Sequence, residues 1–412
     1  MKLNIAPFGM ILAFYFVVLF TGHEGYSGPC ASKLMSEGKP KPRSAEVAFA
    51  VKDLNATIQT FLNPREIVCV RHVNKDFYSA SYTNLVEKSK VAFFDSSFSE
   101  NRLGAGWGHF AAMSKDGQVK SWGIRGLRLP RGLGRVRGLF PQAHGFCAIK
   151  EDWTVTCWGY FRFKVPTDLG KVLTLSVGLT HTCAIKKEDS TVACWHSQGF
   201  GDLDRSWATV PADLGRVQAL VSNGNHTCAI KEDQTVQCWG KDLVGRLGVP
   251  PDLGKVHKIF SGSHHVCAIQ LDQTVRCWGH NGNGQLFVPP GLGKVKSIVA
   301  GDYYTCAIKE DQTVQCWGQY WDGQVTVPPD LGKVVSIVSG ESHLCALKED
   351  GTVRCWGSNS RGQTKVPPHL EKIVSLYSRA TQTCAIDEVG RVKCWGLNGS
   401  EFFSPDKNFR VF

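Results

Sequence analysis

Apolar and polar positions alternate with period two in short runs, and the runs recur. In 226–240, HTCAIKEDQTVQCWG, Cys228, Ile230, Val236 and Cys238 fall on one face of an extended chain. Thr227, Ala229, Gln237 and Trp239 fall on the other. Glu232-Asp233-Gln234-Thr235 between them has turn chemistry, so the segment predicts a β-hairpin centred on Asp233. A second recurring phrase, such as VPPDLGKVVSIVSG at 327–340, holds a Pro-Pro turn, a Gly-marked bend and an apolar alternating run. It predicts one more strand per unit.

The hairpin phrase occurs seven times with a cysteine pair: Cys147/Cys157, Cys183/Cys194, Cys228/Cys238, Cys267/Cys277, Cys306/Cys316, Cys345/Cys355 and Cys384/Cys394. The Cys183 pair has one extra residue in its turn. An eighth copy at 109–123 has Ala111 and Ser121 at the two cysteine positions. Joint absence is expected if each pair is one bond. Directly opposed residues in an antiparallel pair lie about 4.5–5.5 Å apart at Cα, within disulfide range. Every copy also has a small Ala and a large Trp on the other face (Trp122, Trp158, Trp195, Trp239, Trp278, Trp317, Trp356, Trp395), a pairing suited to a packed core. First cysteines follow one another at 36, 45, 39, 39, 39 and 39 residues. Three or four short strands per unit of this length, apolar on both faces, predict an all-β fold of stacked sheets in a ring, a β-propeller. The rival, a right-handed β-helix, has shorter units. Eight hairpins are counted, in a repeat region spanning 104–412.

The phrases resemble a known repeat. Gly224-x-His226-Thr227, the Trp-Gly pair, Asn281-Gly282-Asn283-Gly284-Gln285, Asn359-Ser360-Arg361-Gly362-Gln363 and the Val-Pro-Pro ending are similar to the repeat of the regulator of chromosome condensation and the bacterial β-lactamase-inhibitor protein II. The spacing looks closer to the inhibitor branch. The resemblance implies seven blades, against eight hairpins here, so seven or eight stays open. Paired cysteines depart from the family's intracellular pattern.

The first 27 residues read as a signal peptide, with Lys2 before an apolar core through Phe20. A retained signal anchor is the minor alternative, and the sole route to a membrane. Secretion agrees with paired cysteines, which persist in oxidising compartments. Asn55, Asn225 and Asn398 head glycosylation triplets if the source is eukaryotic. Residues 28–103 form an N-terminal extension in which Cys30 and Cys69 could pair. A strand there, at Val91–Phe94, is expected to complete the last sheet.

Net charge is +11, which favours an acidic partner. Arg135, Lys171, Arg216, Lys255, Lys294, Lys333 and Lys372 recur at one repeat position and would form a basic rim, a site for an acidic protein or a glycan, or simply a solvated surface. Nucleic acid is not an expected partner. His109, His181, His226, His265 and His343 precede the first cysteine position by two. A disulfide sulfur is no zinc ligand, so no metal is expected, and each His is assigned a turn cap or a bond to a neighbouring blade. No cofactor motif and no nucleophile–base pair stand apart from the repeat, so a non-enzyme is expected.

The loops after Trp-Gly vary between copies and carry aromatics. Tyr160, Phe161, Trp207, Phe287, Tyr320 and Trp321 are the candidate partner-binding residues. Variable loops on a rigid scaffold are where binding specificity is usually placed. The expected function is a secreted, protein-binding, inhibitor-like module. The alternatives are a lectin-like carbohydrate binder and, by family analogy, a guanine-nucleotide exchange or ubiquitin-ligase-associated role. Loops unlike one another favour the protein partner.

Overall fold

A computed structural model of the chain describes residues 102–411, except 107–108, 124–126, 143, 160–163, 197–205, 243–244, 320, 398–399 and 404–408. The expected signal segment, residues 28–101 with Cys30, Cys69, Asn55 and the strand at 91–94, lie outside the described residues.

Eight antiparallel sheets follow one another, each built from consecutive strands. The first holds β1 (Leu103–Ala105), β2 (His109–Met113) and β3 (Val119–Gly123). The second has β4 (Val136–Gln142), β5 (Gly145–Lys150) and β6 (Val155–Gly159); the third has β7 (Val172–Val177), β8 (His181–Lys186) and β9 (Val192–His196). Next come β10 (Val217–Asn223), β11 (His226–Lys231) and β12 (Val236–Gly240), then β13 (Val256–Ser261), β14 (His265–Gln270) and β15 (Val275–Gly279). The sixth sheet is β16 (Val295–Ala300), β17 (Tyr304–Lys309) and β18 (Val314–Gly318), and the seventh β19 (Val334–Ser339), β20 (His343–Lys348) and β21 (Val353–Gly357). The eighth adds a fourth strand: β22 (Ile373–Arg379), β23 (Gln382–Asp387), β24 (Val392–Leu397) and β25 (Ser400–Phe403). The fold is a β-propeller, and the copy without cysteines is a sheet like the rest.

The hairpin register follows from the turn. Asp233 Oδ1 accepts from the Thr235 backbone N–H at 2.9 Å and from its hydroxyl at 2.6 Å, and Gln234 takes the left-handed conformation at φ 70°. Cys228 then lies directly opposite Cys238. All seven expected pairs are disulfides, Cys147–Cys157, Cys183–Cys194, Cys228–Cys238, Cys267–Cys277, Cys306–Cys316, Cys345–Cys355 and Cys384–Cys394, with Cα–Cα of 4.0–4.1 Å. That spacing is tighter than the expected 4.5–5.5 Å. The two ends of each bridge are not equally enclosed. The seven cysteines of the middle strands are fully buried, whereas Cys157, Cys194, Cys238, Cys277 and Cys316 of the outer strands are half-buried. Cys355 and Cys394 are the buried exceptions on outer strands. Every first strand from the second sheet onward carries a bulge after its first residue, as between Val256 and Lys258.

One packing rule repeats between sheets. The cysteine face of one sheet meets the Ala/Trp face of the next. Cys228 and Ile230 pack with Leu253, Val256, Ala268 and Trp278. Cys267 and Ile269 pack with Leu292, Val295, Ala307 and Trp317. The rule also joins the last sheet to the first: Cys384, Ile386, Val392 and Cys394 pack with Ala112 and Trp122, together with Phe409 and Val411. Val411 stands where Val256 or Val295 stands elsewhere. Its N–H donates to Gly390 O at 3.0 Å, as Val256 N–H does to Gln234 O at 2.9 Å. Arg102 Nη1 donates to Val411 O at 2.9 Å. Within the described residues, then, the chain's C-terminal stretch completes the joint between the eighth and first sheets.

Candidate binding faces of the ring

Each first strand starts at the hairpin-turn edge of its sheet and ends at the opposite edge, so the ring has two distinct rims. The loop rim carries the turns between first and second strands and the loops after Trp-Gly. The hairpin rim carries the hairpin turns and the Leu-Gly-Lys bends.

On the loop rim, a buried glutamine organises each standard loop. Gln285 Oε1 accepts from Asn283 N–H at 3.0 Å, Gln324 Oε1 from Asp322 N–H at 3.0 Å, and Gln363 Oε1 from Arg361 N–H at 2.7 Å. The carbonyls of the same glutamines accept from the indoles of Trp317, Trp356 and Trp395 at 2.8–3.0 Å. The core tryptophan of one sheet thus holds the loop of the sheet before it. Arg246 takes the glutamine position in the fourth loop: its carbonyl receives the Trp278 indole, and its Nη1 donates to Ser263 O at 2.5 Å.

These loops expose Phe287 at 70% and Trp321 at 75% of full accessibility. Trp207 differs from expectation. It is 4% exposed, in a short 3-10 turn at Ser206–Ala208, near His196 and Lys241, so it belongs to the scaffold and not to the outer surface. Tyr160, Phe161 and Tyr320 lie outside the described residues. Sequence reasoning missed a ring cluster at the start of the loop that carries Phe287. His264 stacks on Tyr303 at 4.6 Å, with the His280 ring 6.1 Å from His264 and 6.3 Å from Tyr303. Ser263 Oγ donates to Asp302 at 2.5 Å beneath it. Burial and the Arg246 charge hold His264 below the usual histidine range. The signal was available in the His264-His265 and Tyr303-Tyr304 doublets, where the first residue sits in the turn and the second in the strand.

On the hairpin rim, Arg135, Lys171, Arg216, Lys255, Lys294, Lys333 and Lys372 are all exposed. Acidic turn residues lie among them. Glu151, Glu232, Glu310 and Glu388 donate backbone N–H to the carbonyls of Arg135, Arg216, Lys294 and Lys372 at 2.9–3.0 Å, and Arg216 forms an ion pair with Glu232. The rim is therefore interleaved in charge rather than uniformly basic.

The recurring histidines are structural. His181 Nε2 pairs with Thr227 Oγ1 at 2.7 Å, His265 with Thr305 at 2.8 Å, and His343 with Thr383 at 2.8 Å, each in the next sheet. His226 meets Ser261 at 2.9 Å, because Val266 stands at the threonine position there. Burial pushes His181, His265 and His343 down to about 4 and His226 to about 3. The triplet at Asn225 is partly occupied: Asn225 Oδ1 accepts from Thr180 Oγ1 at 3.2 Å, and His226 and Thr227 are buried. Asn398 lies outside the described residues. Among the described residues there is no group of three metal-ligating side chains, and no helix is long and apolar enough to cross a membrane.

Three stretches, 256–285, 295–319 and 334–363, match the profile of the regulator of chromosome condensation (RCC1) repeat. The chain thus carries RCC1-type repeats over these stretches. Each matched stretch takes in the first strand of an RCC1-type unit, and the first and third run on to Gln285 and Gln363, the loop glutamines described above. No curated protein matches the sequence. Among solved structures it is similar to the CRINKLY WD40 ectodomain of the Arabidopsis thaliana receptor kinase ACR4, at 23% identity over 65% of this chain and 94% of that one, TM-score 0.49. It is similar to the ectodomain of the Physcomitrella patens receptor kinase CR4, at 24% identity over 57% of this chain and 66% of that one, TM-score 0.45. It is also similar to Prp20p of Saccharomyces cerevisiae, at 19% identity over 73% of this chain and 84% of that one, TM-score 0.48.

Proposed function

We propose that this disulfide-stapled propeller is a secreted, non-enzymatic module that binds a protein partner through its loop rim. The observation that carries the reading is the exposure of Phe287 and Trp321 on consecutive loops that leave one rim, whose turns carry the His264–Tyr303 stack. Large exposed aromatics on a rigid frame are the residue type that dominates interface energy. Seven disulfides support an oxidising compartment, since cytosolic thiols are kept reduced.

The test is expression with residues 1–27 intact in a secreting host, followed by recovery of bound protein from the medium with wild type and with Phe287→Ala/Trp321→Ala. A partner retained by wild type and lost by the variant, at equal melting temperature, supports the reading. Retention of the chain inside the cell, or equal capture by both forms, sinks it. Capture of an oligosaccharide from an array, lost in the variant and with no protein recovered, would make the rim a sugar platform instead.

A further inference from the structure

Three departures from the repeat lie on the hairpin rim and on the segment that leads to it. The first is the bend Pro130-Arg131-Gly132-Leu133-Gly134-Arg135. Four other bends carry an aspartate, at Asp168, Asp213, Asp252 and Asp330. In three of them that carboxylate binds a side chain of the neighbouring outer strand: Asp252–Arg276 at 2.8 Å, Asp330–Arg354 at 3.5 Å and Asp213–Gln237 at 3.1 Å. Here glycine stands in its place, as Gly291 does before the sixth sheet, and Arg131 is added beside Arg128, whose position holds Lys164 and Lys365 elsewhere.

The second departure is Trp153. It takes φ 70° at a turn position filled elsewhere by Ser190, Gln234, Gln273, Gln312 or a glycine. A bulky side chain is uncommon in this region of backbone space. The third is the extra residue in the next sheet's turn, which places Lys187 where Glu232 stands in the following one: Lys187 N–H donates to Lys171 O at 2.8 Å, as Glu232 N–H does to Arg216 O. Lys187 reaches over the Trp153 ring at 4.9 Å, and Arg137 lies over the same ring at 4.3 Å while its Nε donates to Glu151 O. The tryptophan fixes both cations in place.

The consequence is a run of arginines without ion pairs beside the Glu151 turn. Arg216, Arg276, Arg354 and Arg391 are each ion-paired. None of Arg128, Arg131, Arg135 and Arg137 is in an ion pair among the described residues; Asp116 feels the charge of Arg135 without contacting it. Arg128, Arg131 and Arg135 are exposed.

We propose that the arc Arg128–Arg131–Arg135–Arg137, extended by Lys187, docks a sulfated polysaccharide. The ten residues from Arg128 to Arg137 span at most about 33 Å of backbone, so the four arginines stand on one short stretch of chain. Four guanidinium groups on one such stretch suit a polymer that carries several oxyanions along its length, and the planar guanidinium pairs such groups two-pronged. A membrane surface fits less well, because Leu129 packs inward against the core and the Trp153 ring has Arg137 and Lys187 over it. This arc lies on other units than Phe287 and Trp321 and does not rest on the proposed partner there.

The experiment measures binding of the full chain to immobilised heparin across a salt series. Wild type is expected to bind, and more weakly as salt rises. Arg128→Gln/Arg131→Gln/Arg135→Gln is expected to lose on the order of ten-fold in affinity. Lys255→Gln/Lys294→Gln/Lys333→Gln removes the same charge elsewhere on the rim and is expected to lose much less. Should the first variant melt early, Arg128→Gln/Arg131→Gln, both exposed positions, carries the same test. Equal losses in the two triple variants would reduce the effect to net charge and overturn the proposal. So would absence of heparin binding at low salt, or tighter binding to polyglutamate or anionic phospholipid vesicles at matched charge. Phe287→Ala/Trp321→Ala should keep heparin binding whether or not the loop rim has a protein partner.

Discussion

His265 and Thr305 are bonded side chain to side chain, Nε2 to Oγ1 at 2.8 Å, across the joint between the fifth and sixth sheets. Both are fully buried. The same bond recurs wherever the repeat supplies both residues, and where it does not, the joint substitutes. Phe146 faces His109 edge to ring at 5.2 Å, and Gln142 Nε2 reaches Thr182 at 2.8 Å because Gly145 has no side chain to offer. Tyr304 donates to Gly340 O at 3.0 Å, the next sheet having Leu344 at the threonine position.

Removing one partner of such a bond leaves the other buried and unpaired. Thr305→Val should therefore lower unfolding free energy by about 1–3 kcal/mol. A double-mutant cycle with His265→Ala should show coupling on the order of 1 kcal/mol between the two sites. Additive denaturant midpoints would remove the bond from the stability account.

The buried histidines make stability fall in mild acid. His181, His265 and His343 have folded values near 4, below the unfolded value of about 6.5, so each is neutral in the fold and takes a proton more readily once unfolded. Their contribution is complete above about pH 6.5 and is lost as pH falls toward 4. The hairpin aspartates, such as Asp233 and Asp311, have depressed values and act only at lower pH. Glu341, raised by burial and by Asp302, works weakly in the opposite direction. Melting temperature should drop between pH 6.5 and 4.5 with net proton uptake on unfolding; a flat profile across that window would contradict it.

Gln382 holds the histidine position in the eighth sheet, 1% exposed, with neither amide atom hydrogen-bonded. The first sheet offers Phe110 and Ala105 there in place of threonine and serine. Replacing an unpaired buried amide by an apolar group of similar size removes a desolvation cost of about 1–3 kcal/mol, so Gln382→Leu should raise the melting temperature. A lower one would mean that the amide has a role in the joint.

Deleting residues 409–412 should weaken the same joint, since Phe409 and Val411 are 7% and 0% exposed. Each buried apolar side chain is worth about 1.5–3 kcal/mol. Hydrogen exchange should rise first in 103–123, the sheet without a disulfide; uniform exchange around the ring would argue against a weak joint there.

The sequence alone determined the unit. Period-two alternation, Asp-centred turns and joint loss of both cysteines at Ala111 and Ser121 defined hairpin, register and disulfides, because these depend on neighbours a few residues away. It also marked the eight tryptophans as core, where they lie 2–7% exposed. What it left open was set between units. Eight sheets rather than seven, the joint completed by Val411, and the burial of Trp207 all depend on which sheet faces which. The basic positions read as one ring because Lys and Arg recur, yet the acidic turns that interleave them are sixteen or so residues further along the chain, as Glu232 is from Arg216. Only the folded sheet brings a bend and its own hairpin turn side by side, and only the next sheet brings Lys187 over Trp153.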